Sequence, residues 1–348
     1  MTTKIEWTRG DDGMPGETWN PTTGCDRISE GCDHCYALTM AGRLKGMGQA
    51  KYQNDGDPRT SGPGFGLTVH PDALTIPLRR RKTTRYFVNS MSDLGHARVP
   101  AGFLAQVWAV MAATPQHTYQ ILSKRPHRLS SLLSRGELGT DGFPDMVEEA
   151  MAEFTHASLD EWPLRNVWMG TSIESDRLCP RAESLRETPA AVRFLSLERL
   201  LGPLPSLDLT GIDWVIVGGE SGSGARPMHP DWARSLRDQS KEAGVPFFFK
   251  QWGEYLPVPV VDDPGFSGGR VFEHPKGVRC APLIREASNS AFRTGLTRPM
   301  RAGDRNGHGV MLDDHIIAVR VGKGRAGREL DGRTWDEFPR VTERAGAA

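Results

Sequence analysis

The stretch Asp213-Trp214-Val215-Ile216-Val217-Gly218-Gly219-Glu220-Ser221-Gly222 decides how this chain folds. It opens as an almost unbroken apolar run rich in β-branched and aromatic residues, and a glycine-rich, acidic turn follows at once. A strand of that composition has no side that tolerates water. Such strands belong to parallel sheets covered on both faces, whereas half-solvated antiparallel strands alternate.

Outward from this stretch the same pattern recurs. Tyr86-Phe87-Val88-Asn89-Ser90 and Thr118-Tyr119-Gln120-Ile121-Leu122-Ser123 precede it, as do the runs at 166–170 and 193–197; the run at 245–250 follows. Helical spacing lies between them. Phe103, Leu104, Val107, Trp108 and Met111 share one helical face after Pro100, a residue suited to a helix start. Trp232 and Leu236 repeat the spacing after Pro230-Asp231, and Gly244 stands where a helix C-cap is expected. Strand–helix alternation of this kind argues for an α/β fold, either a barrel or a doubly wound sheet. With Trp19-Asn20-Pro21 supplying a first strand, the expectation is a full or partial parallel (β/α) barrel of about seven strands.

From Leu256 the pattern dissolves into Pro, Gly and Asp, and a basic, glycine-rich run follows at Gly322-Lys323-Gly324-Arg325-Ala326-Gly327-Arg328. That run lacks the strand-then-helix setting of a phosphate-binding loop. The chain therefore divides into a barrel at 1–255 and an irregular C-terminal extension at 256–348, expected to close over the barrel mouth.

The 348 residues are enough for one large barrel or two smaller domains. Lys+Arg and Asp+Glu both number 43, so no net charge draws the chain to nucleic acid or anionic membrane. No stretch approaches the roughly 18 apolar residues of a spanning helix. Five cysteines, an odd count, and no N-terminal apolar segment point to a reducing cytoplasm. The basic run Arg79-Arg80-Arg81-Lys82 directly precedes a strand and reads as a solvated loop, with phosphate contact as the alternative.

Three of the cysteines, Cys25, Cys32 and Cys35, form a C-x6-C-x2-C cluster. A structural zinc site closes a tetrahedron with four ligands, and ferredoxin-type clusters also take four cysteines. Three thiolates leave one coordination position open, which chemistry requires and a structural staple avoids. His34 lies inside the motif, crowded by its neighbours, and Cys179 or Cys280 could supply a fourth ligand in space. The cluster reads as an iron–sulfur site with one open iron; a structural zinc knuckle is the alternative.

Functional groups of a parallel barrel collect where strands end and βα loops begin. Those ends carry Asn89, Ser90, Ser92, Asp93 and His96; Ser123, Lys124 and Arg125; Thr171, Ser172 and Glu174; Ser196, Glu198 and Arg199; and Lys250, Gln251, Trp252 and Glu254. Each has a plain explanation, such as an acid favouring a helix N-terminus or an exposed turn. Together they make one polar rim. The pair Gly218-Gly219 is a tight turn or a place where a ligand comes close, with Glu220 then taking an ammonium or a ribose hydroxyl.

A three-cysteine loop after the first strand of a β/α barrel resembles the radical S-adenosylmethionine enzymes. There the open iron chelates the methionine moiety, and reduction cleaves the sulfonium to release a 5′-deoxyadenosyl radical. The usual first spacing is three where this chain has six; the second spacing matches. A closer resemblance rests on several motifs in order: Cys25…Cys32-x2-Cys35-Tyr36-Ala37, Phe87-Val88-Asn89-Ser90-Met91-Ser92-Asp93, Leu122-Ser123-Lys124-Arg125-Pro126, Gly218-Gly219-Glu220-Ser221-Gly222 and Phe248-Phe249-Lys250-Gln251-Trp252-Gly253. They are similar to an uncharacterised, radical-SAM-like family of phage and prophage proteins marked by an N-terminal three-cysteine motif. The likeness covers about residues 5–255 and reaches the tail through Gly327-Arg328-Glu329-Leu330-Asp331-Gly332.

On this reading Cys25, Cys32 and Cys35 hold a [4Fe–4S] cluster, and Gly218, Gly219 and Glu220 contact S-adenosylmethionine. Asn89, Asp93, Lys124 and Glu174 line the substrate side. The resemblance also implies a mobile-element origin, the cytoplasm of a bacterial host, and a nucleotide or nucleic-acid substrate, with an assisting partner protein as a further expectation. The competing reading is a non-enzymatic or hydrolytic protein with a structural zinc or iron–sulfur site that binds nucleic acid or a partner. Neutral charge and the three-ligand count speak against it.

Overall fold

A computed structural model describes residues 2, 3, 5–10, 12–136, 139–262, 270–274, 278–280, 282–285, 294–297 and 309–340, with backbone only between 261 and 309. Seven strands form one parallel sheet: β1 (Glu17–Trp19), β2 (Arg85–Val88), β3 (Thr118–Ser123), β4 (Val167–Ser172), β5 (Val192–Glu198), β6 (Trp214–Gly218) and β7 (Phe247–Gln251). Each pairs in parallel with the next in sequence, and β1 and β7 are the two edges of the sheet. The fold is a partial (β/α) barrel with an irregular C-terminal region. The first strand ends at Trp19 rather than spanning the expected Trp19-Asn20-Pro21, as the missing N–H of Pro21 would favour.

The crossovers run through α1 (Tyr36–Gly46), α2 (Ala101–Ala112), α3 (Pro126–Leu133), α4 (Phe143–Met151), α5 (Pro180–Arg186) and α6 (Pro230–Glu242). In α2 the expected face is buried: Phe103, Leu104, Val107, Trp108 and Met111. Helix α6 starts on Pro230, and Gly244 beyond it takes φ +67°, the left-handed conformation that ends helices.

Alternation along the strands splits the apolar residues between two cores. Tyr86, Val88, Tyr119, Ile121, Met169, Leu195, Val215, Val217, Phe247 and Phe249 pack with the helices. Phe87, Trp168, Phe194, Trp214, Ile216 and Phe248 form a second cluster with Trp7 on the opposite, concave face. Trp7 stands edge-on to Phe87 at 5.0 Å and to Trp214 at 6.3 Å. Burying one aromatic of this size stabilises by roughly 2–3 kcal/mol.

Both edges of the open sheet are met by the chain's own ends. Thr2 bridges Glu17 of β1 and Asp336 bridges Phe248 of β7, which blunts edges that would otherwise be free to pair with another chain. The extension begins as an antiparallel sheet of β8 (Tyr255–Pro259), β10 (Ile316–Arg320) and β9 (Gly309–Met311), in that order. Arg320 donates to the carbonyls of Gly222 (2.7 Å) and Ser223 (3.0 Å), which sets this sheet beside the β6 loop at the mouth. The final described residues return to the other end: Phe338 packs on Trp214 at 5.1 Å and Trp335 on Phe247 at 5.8 Å. Thus the extension flanks the mouth and also closes the base, where the sequence suggested the mouth alone.

The basic run at 79–82 precedes β2 at the base. Arg80 pairs with Glu17 at 2.8 Å and Lys82 with Asp12 at 3.4 Å, as a solvated loop would. No helix among the described residues is long and apolar enough to cross a membrane.

Candidate metal centre

The cysteine loop lies between β1 and α1, at the end of the barrel where the strands finish. Cys32 closes a 3-10 turn (Glu30–Cys32), and Cys35 is the N-cap of α1. Cys25 and Cys35 pack on Ala37, Phe65 and Met91, and side chains from successive βα loops hold the polar backbone of the loop. Arg125, just after β3, donates through Nη2 to the Asp26 carbonyl at 2.8 Å. Arg199, just after β5, donates to the Gly31 carbonyl. Arg226, in the loop after β6, donates to the Glu30 carbonyl at 3.2 Å. Glu174, beyond β4, accepts from the Ser29 hydroxyl at 3.4 Å. Only glycine fits at position 31, because a Cβ there would stand 2.4 Å from Glu174 Oε1.

The thiols sit among cations. Arg125 Nη1 donates to Cys25 Sγ at 3.3 Å and to Asp93 Oδ2 at 2.9 Å. Asp93 is buried and also accepts from the Ser123 hydroxyl (2.6 Å) and the amides of Gly95 (2.8 Å) and Lys124 (3.1 Å). Burial, helped by the Asp93 charge, pushes the Cys25 thiol up to about 12 against the pull of Arg125. Burial also opposes ionisation of Cys32, yet the Lys124 ammonium and the Ile28 and Ser29 backbone outweigh it and hold that thiol below its usual value. The Ser29 hydroxyl lies 3.8 Å from Cys32 Sγ. Glu174, fully buried, is ion-paired to Lys124 and, at 3.1 Å, to Arg181. Burial draws the Lys124 ammonium well below its ordinary value.

A single zinc ion would gather its sulfurs about 2.3 Å away on one point. Among the described residues no three His, Cys, Asp or Glu side chains converge that way. In a cubane each cysteine binds a separate iron. Cys25 already has a hydrogen-bond donor in Arg125, and such outer contacts are what orient and tune cluster thiolates. Three cysteines with a charge-assisted donor on Cys25 are a donor set of the kind that iron–sulfur clusters take. Cys179 sits in the outer core with its thiol 3.6 Å from Asp176 Oδ1. The His34 ring packs on Gly224, where a Cβ would meet it at 2.7 Å. The side chain of Cys280 lies outside the described residues.

Asn89, Asp93, Lys124, Glu174, Gly218, Gly219 and Glu220 end strands or follow strand ends and lie at this end of the barrel. Asn89, at φ +61°, donates to Thr22 Oγ1 at 2.5 Å, while its buried Oδ1 has no partner. Asp93, Lys124 and Glu174 meet the cysteine loop as described. Of the Gly218-Gly219 pair, Gly219 has a reason within the chain. A Cβ on Gly219 would lie 2.0 Å from the Trp252 carbonyl, so the close approach it allows is between the β6 and β7 loops. Glu220 accepts from the Arg226 amide (2.9 Å), Nε (2.8 Å) and Nη2 (3.0 Å). Burial works against its charge, but Arg226 holds the carboxyl below the usual range. Glu198 and Lys250 form an ion pair across the concave side, and Glu198 Oε1 is left without a partner.

Sequence reasoning missed the roles of Ser29, Arg181 and Arg226. It placed Arg125 and Arg199 at strand ends without a task. Arg199 carried a signal that only the backbone displays: its φ of +64° is uncommon for a side chain of that size and aims it back over the loop.

No curated protein matches the chain. Among solved structures, spore photoproduct lyase complexed with dinucleoside spore photoproduct is similar at 12% identity over 68% of this chain and 63% of that one, with a TM-score of 0.33. A cysteine-to-serine mutant of spore photoproduct lyase is similar at 12% identity over 79% and 72%, again with a TM-score of 0.33. This chain therefore spans less than two thirds of the first of these structures, 63% of its length. At that level the likeness assigns neither a reaction nor a ligand. A family profile described as protein of unknown function (DUF5131) matches residues 2–339, and the chain belongs to that family.

Proposed function

We propose that the chain binds a [4Fe–4S] cluster through Cys25, Cys32 and Cys35 and works with S-adenosylmethionine as a radical enzyme. One observation carries the reading. The three thiols share the mouth of a partial parallel barrel, in a loop gripped by Arg125, Arg199, Arg226 and Glu174, with the Arg125 guanidinium already aimed at the Cys25 sulfur. Bound there, the cluster and its cofactor would supply a one-electron reductive cleavage and an organic radical.

The chain's own side chains would do the rest. Arg125 orients the Cys25 thiolate, Ser29 ties the loop to Glu174, and the Lys124–Glu174–Arg181 group fixes the loop against β4. The aromatic floor of Trp7, Phe87, Trp168, Phe194, Trp214 and Phe248 keeps water out from below, as radical chemistry needs. Asn89 Oδ1 and Glu198 Oε1 are unpartnered acceptors at the rim and suit N–H or O–H groups of a ligand. Gly218, Gly219 and Glu220 stand at the end of β6 for contact with the cofactor. Nucleotides or nucleic acid are the substrate class implied by the family resemblance, and the zero net charge makes recognition depend on local groups.

The test is anaerobic reconstitution with iron and sulfide, followed by assay for 5′-deoxyadenosine after adding S-adenosylmethionine and dithionite. The reading expects about four irons per chain and release of the nucleoside. A colourless protein holding one zinc, with no nucleoside released, would replace it with the structural-metal reading.

A further inference from the structure

The Arg125 guanidinium binds three groups at once. Nη1 donates to Cys25 Sγ at 3.3 Å and to Asp93 Oδ2 at 2.9 Å, and Nη2 donates to the Asp26 carbonyl at 2.8 Å. Its side chain is 16% exposed. Asp93 cannot swing away, since the Ser123 hydroxyl and the Gly95 and Lys124 amides hold it from other sides. A planar fork pinned at three points keeps one N–H on the sulfur.

We infer that Arg125 sets the reduction potential of the metal centre, acting through Cys25. The inference rests on the proposal that Cys25, Cys32 and Cys35 hold a [4Fe–4S] cluster. Reduction adds one electron from an external one-electron donor, and no bond forms or breaks at Arg125. A ligand sulfur that accepts a charge-assisted hydrogen bond tolerates the added electron density better, so the contact favours the reduced form. Arg125 is a positioning residue, not a ligand. Asp93 aims the fork and tempers its charge, and Asp26 ties it to the loop that carries Cys25. Cys32 instead faces the Ile28 and Ser29 backbone, with the Ser29 hydroxyl 3.8 Å from its sulfur, so the sulfurs of Cys25 and Cys32 are not equivalent.

The experiment compares the full-length wild type with Arg125→Gln and Arg125→Lys after anaerobic reconstitution. Iron and sulfide are counted first, and the reduced signal is then followed by paramagnetic resonance through a dithionite titration with mediators. At the wild-type midpoint, loaded Arg125→Gln should show a tenfold lower ratio of reduced to oxidised cluster, a downward shift of 59 mV for one electron. Arg125→Lys, which keeps the charge and loses the fork, should shift in the same direction by less. An unmoved midpoint in loaded Arg125→Gln overturns the inference. If that variant does not load, an unmoved midpoint in Arg125→Lys overturns it equally. A purely structural arginine would lower loading or thermal stability and leave the midpoint of the loaded fraction in place. A wild type that takes up no iron overturns the cluster proposal itself, and this inference with it.

Discussion

The two ends of the same seven strands are built from different chemistry. Along the concave face, β5 runs from Phe194 through Ser196 to Glu198, and β7 runs from Phe248 to Lys250. At the base these positions join Trp7, Trp168 and Trp214, and Phe338 closes over them. At the mouth the same rows end in Lys124, Glu174, Glu198 and Lys250, at the end of the barrel that carries the three thiols. One end is held by area removed from water and the other by paired charge. That division lets a barrel change its chemistry without losing its fold, because the two sets of residues share strands and not contacts.

The sharpest way to break the comparison is at the thiols. Cys32→Ala should lose the iron–sulfur group entirely, with less than a tenth of wild-type iron after reconstitution. Its unfolding free energy should stay within about 1–2 kcal/mol of the metal-free wild type. Loss of folding together with the iron would mean that the mouth also carries the fold.

The converse change is Trp214→Ala. This fully buried ring meets Trp7, Trp168, Phe194, Phe248 and Phe338, and its Nε1 donates to the Glu337 carbonyl at 2.8 Å. Guanidinium titration should show a loss of about 4 kcal/mol, with iron per folded chain unchanged. Reduced loading in the folded fraction would join the two ends.

Glu174→Gln bridges the comparison. It leaves Lys124 and Arg181 without their buried counter-charge, which should cost about 3 kcal/mol. It also loosens Ser29, so iron loading should fall in parallel. Full loading at wild-type stability would contradict the role given to this ion group.

The smallest effect lies on the extension, where Asp331 accepts from Arg234 Nε at 2.9 Å and pairs with Arg237. The Arg234 hydrogen bonds, reinforced by Arg237 and opposed by partial burial, hold Asp331 below its ordinary value of 3.8. A depressed folded value stabilises above pH 3.8 and fades as the pH falls through it. Asp331→Asn keeps the φ of +54°, which Asn tolerates. The variant should therefore lose roughly 0.5 kcal/mol at pH 7, and the difference should vanish in acid. A difference that persists once the Asp331 carboxyl of the wild type is protonated would point to packing instead of charge.

Much of the fold was readable because a buried parallel strand spells itself out locally. Trp214-Val215-Ile216-Val217-Gly218 has nowhere to go but between layers, and the turn residues after it announce the loop. The rim was readable for the same reason: Asp93, Lys124 and Glu174 each follow a strand end closely. What was not readable is non-local. Tyr255 pairs with Arg320 across a long insertion, and Asp336 returns to Phe248, with no periodicity to mark either contact. The loop clamps were hidden similarly. Arg181 and Arg226 lie in a helix and a loop where an arginine is unremarkable until the fold brings it to Glu174 or the Glu30 carbonyl. The reason for Gly219 could not be seen either, because it is the Trp252 backbone of another loop.

The most direct test of the account is paramagnetic resonance of the anaerobically reconstituted, reduced protein, with and without S-adenosylmethionine. The account predicts a [4Fe–4S] signal whose shape changes when the cofactor is added, as a cluster held by only Cys25, Cys32 and Cys35 would allow. A cluster signal indifferent to the cofactor, or no cluster at all, would contradict it.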